Sequence, residues 1–145
     1  MLVARPAWLQ PGLTQKQIQT WLTQQGIRIT DSLLVPACHA VYDWRNQSVL
    51  ISPLVPQTHR LAVLTHEALH VYNQHHTPQP PSVEQQINQA VAYALINQDE
   101  YAFWEREYGG HAGGIAKALG QPLWLVEAFQ RTYRNSSWRV SRFAL

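Results

Sequence analysis

The chain has 145 residues, of which 46% are apolar and only 14% are charged. These values predict one folded domain and exclude a disordered chain, and a formal net charge of +2 is too small to indicate direct nucleic-acid binding. A single cysteine excludes an internal disulfide. Because there is neither a secretory-type leader nor a run of about 18 apolar residues, we expect a cytoplasmic protein without a membrane partner.

The first third of the chain is expected to contain one helix and three short strands. Residues 1–13 predict an irregular lead-in. Thr14 and Gln17 have the spacing of a capping box, which predicts a helix that ends near Gly26. Apolar and polar residues alternate after Gly26, and this alternation indicates a strand. Residues 40–44 and 48–52, on either side of a polar tripeptide, predict a hairpin.

The remainder of the chain is expected to be helical. Thr58 is a candidate N-cap for a helix over residues 59–73. Ser82 and Gln85 predict a second capping box, at the start of a helix with a strong apolar stripe. A further helix is expected over residues 99–108. Two short helices should follow, separated by a glycine and a proline.

The segment from His66 to His70 has the clearest pattern of candidate metal-binding residues in the sequence. Two histidines four residues apart lie on the same face of a helix, so both imidazoles can bind one ion. Zn²⁺ suits nitrogen ligands in a tetrahedron, and Glu67 is placed beside the position where a water molecule would sit. The flanking residues are largely apolar, and burying such polar groups is costly without a use for them. The segment therefore predicts a zinc site with His66 and His70 as ligands and Glu67 as the general base.

A catalytic zinc usually has three protein ligands, and the sequence offers two candidates for the third. His76 completes the spacing of the metzincin motif, with Asn73 in place of glycine. Metzincins also have a methionine turn, however, and the only methionine here is Met1. Glu84 opens a separate helix and places Asn88 one turn away on the same face. We favour Glu84 as the ligand, with Asn88 as an acceptor for the N–H of a ligating histidine.

Two stretches resemble the ImmA/IrrE family of gluzincin-like zinc metallopeptidases, namely residues 61–70 (LAVLTHEALH) and 84–95 (EQQINQAVAYAL). That family typically has an apolar lead into His-Glu-x-x-His and then a helix that begins Glu-x-x-Ala-Asn/Asp. The resemblance implies an α+β, zincin-like fold. In such a fold a small antiparallel or mixed sheet packs on the active-site helix, and a helical C-terminal part follows. Ala68 and Leu69 depart from the usual Leu-Gly, and Ile87 from the usual Ala.

The resemblance also implies a function. Residues 1–145 would form a single metallopeptidase domain that binds Zn²⁺ and hydrolyses a peptide bond in a protein partner, such as a phage or mobile-element repressor. The alternative is a non-catalytic binding module that acts as an antirepressor or a toxin–antitoxin component. A substrate peptide is expected to add to an exposed sheet edge, for which residues 48–52 are the candidate. Residues 136–145 are expected to form a tail within a basic C-terminal region.

Overall fold

The computed structural model describes residues 2–33 and 39–134 of the chain. Within these ranges the fold is α+β, with six α-helices and one sheet of three short strands. The elements in chain order are α1 (Gln15–Gln24), β1 (Arg28–Asp31), β2 (Ala40–Asp43), β3 (Ser48–Ile51), a 3₁₀ turn (Gln57–His59), α2 (Arg60–Tyr72), α3 (Pro81–Leu95), α4 (Gln98–Glu107), α5 (Ala112–Leu119) and α6 (Leu123–Arg134).

Helix α1 begins and ends as the sequence predicts. The Thr14 hydroxyl accepts a hydrogen bond from the Gln17 backbone N–H at 3.2 Å, and the Gln17 side chain accepts from the Thr14 N–H at 2.8 Å. At the other end, Gly26 has a φ of 76°, in the left-handed region that favours glycine. The chain therefore leaves the helix sharply and enters β1. The lead-in before α1 contains no helix or strand among residues 2–13, but it packs on the core through Leu9 and Leu13.

The sheet has the order β1-β3-β2. Strands β2 and β3 form the predicted antiparallel hairpin, and β3 also pairs in parallel with β1. The expectation that residues 48–52 lie at an exposed edge is therefore wrong, because β3 is the central strand. Val49 and Ile51 of β3 are fully buried, whereas β2 lies at the edge of the sheet next to α2.

Two predicted helix caps are also wrong. Thr58 lies inside the 3₁₀ turn, so α2 begins one residue after His59, which makes no side-chain cap hydrogen bond. Helix α3 begins at Pro81, and no side chain in the described part of the chain caps its first turn. Proline is well suited to the first helical position because it has no N–H that needs a partner there. Ser82 is therefore already within the helix.

The core lies between the sheet, α1 and the helices that follow. Helix α2 packs against α1, α3 and β2, and α3 packs against α6. The most deeply buried side chains come from all of these layers: Ile18, Leu22, Val49, Ile51, Leu64, Leu69, Ile87, Val91, Ile115 and Leu125. No helix in the described part of the chain is both long and apolar enough to cross a bilayer. The predicted tail, residues 136–145, lies outside the described residues.

Candidate metal and catalytic site

Helix α2 presents the two histidines on one face. The Nε2 atoms of His66 and His70 lie 3.2 Å apart, and their rings make an edge-on contact. The helix is buried along most of its length because it contacts α1, α3 and β2. Both imidazoles therefore extend from a rigid support towards the same point.

Glu84 comes from the first turn of α3 and meets both histidines. Its Oε2 lies 3.1 Å from His66 Nε2, and its Oε1 lies 2.9 Å from His70 Nε2. Burial raises the pKa of Glu84, but the hydrogen bonds and positive charge of His66 and His70 outweigh burial and hold the pKa well below its usual range. The carboxylate is therefore ionised, in the form that binds a cation.

These three side chains fit a zinc ion. Zinc bonds to nitrogen and carboxylate oxygen of about 2.0–2.1 Å place tetrahedral ligand atoms about 3.3 Å apart. The observed separations, 3.2 Å between the two nitrogens and 2.9–3.2 Å from nitrogen to oxygen, are close to that value. Two histidines and one carboxylate are also a donor set used by catalytic zinc sites, which keep a fourth position for water.

Glu67 lies beside this group with an unsatisfied carboxylate oxygen. Its side chain is buried, with only 6% of the residue exposed, and Oε2 has no hydrogen-bond partner among the described residues. A buried carboxylate oxygen without a partner is costly, and a polar ligand or a water molecule would relieve that cost. Burial raises the pKa of Glu67 to about 8, with nearby His70 lowering it and Glu84 raising it.

A cavity of about 610 Å³ opens onto the four side chains. It lies between the edge strand β2, helix α2 and the loop before α3. Its other walls come from His39, Ala40, Val41, Tyr42, Val63, His75, His76, Thr77, Pro78, Gln79, Asn88 and Trp124. The volume is within the range of ligand-binding clefts.

The structure places the His76 ring against the β2–β3 hairpin, where it does not join His66, His70 and Glu84. In the metzincin arrangement Asn73 would replace the glycine that turns the chain, but Asn73 has an ordinary φ of −86°. The left-handed residue is instead Gln74, with a φ of 57°. The His76 ring consequently stacks on Trp44, with 4.5 Å between the ring centroids. Its side chain lines the outer cavity and does not join the cluster.

Asn88 does not make the contact expected of it. Its Oδ1 is buried and has no hydrogen-bond partner within residues 2–33 and 39–134, although the residue lines the cavity. The contact to a histidine Nδ1 is made by His75, whose Nδ1 lies 2.9 Å from Nδ1 of His70. Burial lowers the pKa of His75, as does the neighbouring His70, so the neutral ring is favoured.

Sequence reasoning did not identify His75 or Trp124 as part of this site. Trp124, at the start of α6, packs edge-on against His66 with 5.7 Å between the ring centroids. Neither residue belongs to a motif, and only the folded chain brings them to the cavity. An oxyanion stabiliser would have to reach the cavity, and four polar aromatic side chains of the helical region do not line it: Tyr72, Tyr101, Tyr108 and His111. Of these, Tyr101 donates to Glu105, and His111 caps α5.

Comparison with known proteins does not assign the chain to a class. No protein-family model matches it, and no curated protein or solved structure matches it significantly. The functional argument therefore rests on the residues of the cavity and their geometry.

Proposed function

We propose that the protein is a zinc-dependent metallo-endopeptidase with a zincin-like fold, related to the ImmA/IrrE family. One observation carries the proposal. The Nε2 atoms of His66 and His70 and the carboxylate of Glu84 approach one another to about 3 Å, beside the buried carboxylate of Glu67. His70 and Glu67 are buried, and a surface cluster used only for solubility would not require these two groups to be withdrawn from water.

In this proposal three side chains bind the metal and a fourth acts as the general base. His66, His70 and Glu84 would hold the ion, which when bound supplies a Lewis acid and lowers the pKa of a water molecule towards about 7. Glu67 is adjacent to the three ligands. Burial raises the pKa of Glu67 to about 8, and the positive charge of a bound ion would lower that pKa and leave a carboxylate to accept the proton of the attacking water. Glu67 then returns that proton to the amine that leaves when the peptide bond breaks.

The substrate is proposed to be an extended segment of a protein partner, added to the edge of β2. In the antiparallel pairing Ser52 N–H donates to His39 O, so residues 39, 41 and 43 make the bonds to β3. The main-chain groups of Ala40 and Tyr42 therefore face an edge that pairs with no other strand in the described part of the chain, and this edge borders the cavity. Main-chain pairing there would bring a scissile bond past Glu67.

Tyr42→Pro tests the edge-strand hypothesis, with Tyr42→Ala as its matched control. Both variants lose the side chain, but only proline removes the outward N–H, and proline is tolerated at a sheet edge. We expect kcat/KM to fall further for the proline variant than for the alanine variant. Equal values for the two variants would contradict pairing at this edge.

The peptidase activity is tested with zinc-loaded protein on a library of unstructured peptides, with cleavage read by mass spectrometry. Wild-type protein should cleave a subset of sequences, and Glu67→Gln should bind zinc equally but cleave none. A repressor-like protein substrate, proposed from the sequence resemblance, would be tested in the same assay. If Glu67→Gln retained full biological effect on such a partner, the effect would come from binding and not from cleavage.

A further inference from the structure

His75 contacts a residue of the proposed zinc site from outside it. Its Nδ1 lies 2.9 Å from Nδ1 of His70, on the side of the ring opposite the Nε2 that faces Glu84. The His75 backbone N–H also donates to the His70 carbonyl at 2.9 Å. The two residues are therefore joined by both main chain and side chain.

The segment that carries His75 is fixed at both ends. Asn73 pairs with the lead-in, because its Oδ1 accepts from Ala4 N–H at 2.8 Å and its Nδ2 donates to the Ala4 carbonyl at 3.0 Å. His76 is stacked on Trp44 of the hairpin. Between these anchors the left-handed Gln74 turns the chain back, so the His75 ring returns over the end of α2.

When His70 binds a metal, only one arrangement of the N–H protons on the His70 and His75 rings is possible. A His70 that binds through Nε2 must carry its proton on Nδ1, since a neutral imidazole has one N–H. Two ring nitrogens 2.9 Å apart form a hydrogen bond only if one donates and the other accepts. His75 must then accept at Nδ1 and carry its own proton on Nε2.

We infer that His75 is a positioning residue for the metal site, which accepts the Nδ1–H of His70 and so fixes the tautomer and ring orientation that direct Nε2 towards the ion. The inference rests on the proposed zinc site and assigns a residue that supports it. Outer partners of ligating histidines commonly change metal affinity by about 10–100-fold when they are replaced.

Zinc affinity, measured by competition with a chromophoric chelator, tests this role in the full chain. His75→Leu removes the acceptor and should weaken zinc binding by about 10–100-fold. His75→Asn should recover most of the affinity, because Oδ1 of asparagine lies where Nδ1 of histidine does and is an acceptor. His76→Phe is the matched control. It removes the ring nitrogens of the neighbouring histidine but keeps an aromatic ring to stack on Trp44, and it should leave the affinity near the wild-type value.

A spectroscopic measurement separates positioning from a general loss of structure. In the zinc-loaded protein the His70 Nδ1–H should give an exchange-protected NMR signal. The signal should disappear in His75→Leu and return in His75→Asn, while the melting temperatures of the two metal-free variants remain similar. A loss of affinity that asparagine does not restore would overturn the inference.

The possible failures are distinguishable. If wild-type protein binds zinc and His75→Leu binds it equally well, His75 has no positioning role and the metal site itself stands. If wild-type protein binds no zinc, the proposed metal site fails, and the role of His75 fails with it.

Discussion

Glu84 Oε1 lies 2.9 Å from Nε2 of His70, although the two residues are 14 positions apart and belong to different helices. The contact exists only because α3 packs against α2. The site is therefore a product of tertiary packing, and its geometry depends on the core beneath it.

Ile87 tests this dependence, since it is fully buried in α3 one turn after Glu84. Ile87→Ala should lower the free energy of unfolding by about 2–5 kcal/mol, because it removes buried methyl groups and leaves a cavity. It should also weaken zinc binding. Gln85→Ala, at an exposed position of the same helix, should change stability by less than about 0.5 kcal/mol. Urea unfolding measures the stability of both variants, and chelator competition measures their zinc affinity. An Ile87→Ala variant with wild-type stability and wild-type zinc affinity would show that this core does not support the site.

A Thr14→Ala variant tests whether the Thr14 side chain caps the N-terminus of α1. Thr14→Ala should destabilise the fold by about 1 kcal/mol, because it removes the hydroxyl that accepts from the Gln17 N–H. Thr20→Ala is the control, since Thr20 lies exposed within the same helix and alanine has the higher helix propensity there. Thermal unfolding of the two variants should therefore shift in opposite directions. A Thr14→Ala variant as stable as wild type would contradict the capping argument.

Zinc should stabilise the folded state. An ion that binds only the native protein adds about 2.7 kcal/mol when its free concentration is 100 times the dissociation constant. The melting temperature should rise with zinc and return to its starting value when a chelator is added. Glu84→Ala should show a much smaller rise. A rise of equal size in Glu84→Ala would mean that zinc acts elsewhere on the chain.

Zinc affinity should fall as the pH is lowered. Burial raises the pKa of Glu84, but hydrogen bonds from His66 and His70 reverse this and keep the pKa well below its usual range. Protons therefore compete mainly at the two imidazoles, which must be neutral to bind. With two protons displaced per ion, affinity falls by up to about 100-fold per pH unit in the acid limit. Chelator competition across pH measures the slope, and an affinity that does not change with pH would contradict histidine ligation.

Local features of this fold were predictable from sequence because neighbouring residues determine them. The capping box of Thr14 and the turn at Gly26 depend on bonds within a few residues, and both are confirmed. Helix α2 was predictable from its apolar pattern, and that also placed His66 and His70 on one face.

Features that depend on distant partners were not predictable in the same way. The central position of β3 results from parallel pairing with β1, which no local pattern of residues 48–52 indicates. Thr58, the expected N-cap of α2, lies within a 3₁₀ turn instead. Helix α3 begins at Pro81 and has no side-chain cap within the described residues. His75 reaches His70 only because Gln74 adopts a left-handed conformation, and glutamine gives no sequence signal for that turn.

The metal content of the purified protein and its variants tests the central claim most directly. Elemental analysis after zinc loading and removal of excess metal should find one zinc per chain in wild-type protein and in His76→Ala. Glu84→Ala should retain little or none. Zinc retained by Glu84→Ala but lost from His76→Ala would contradict the assignment of His66, His70 and Glu84 as the ligands.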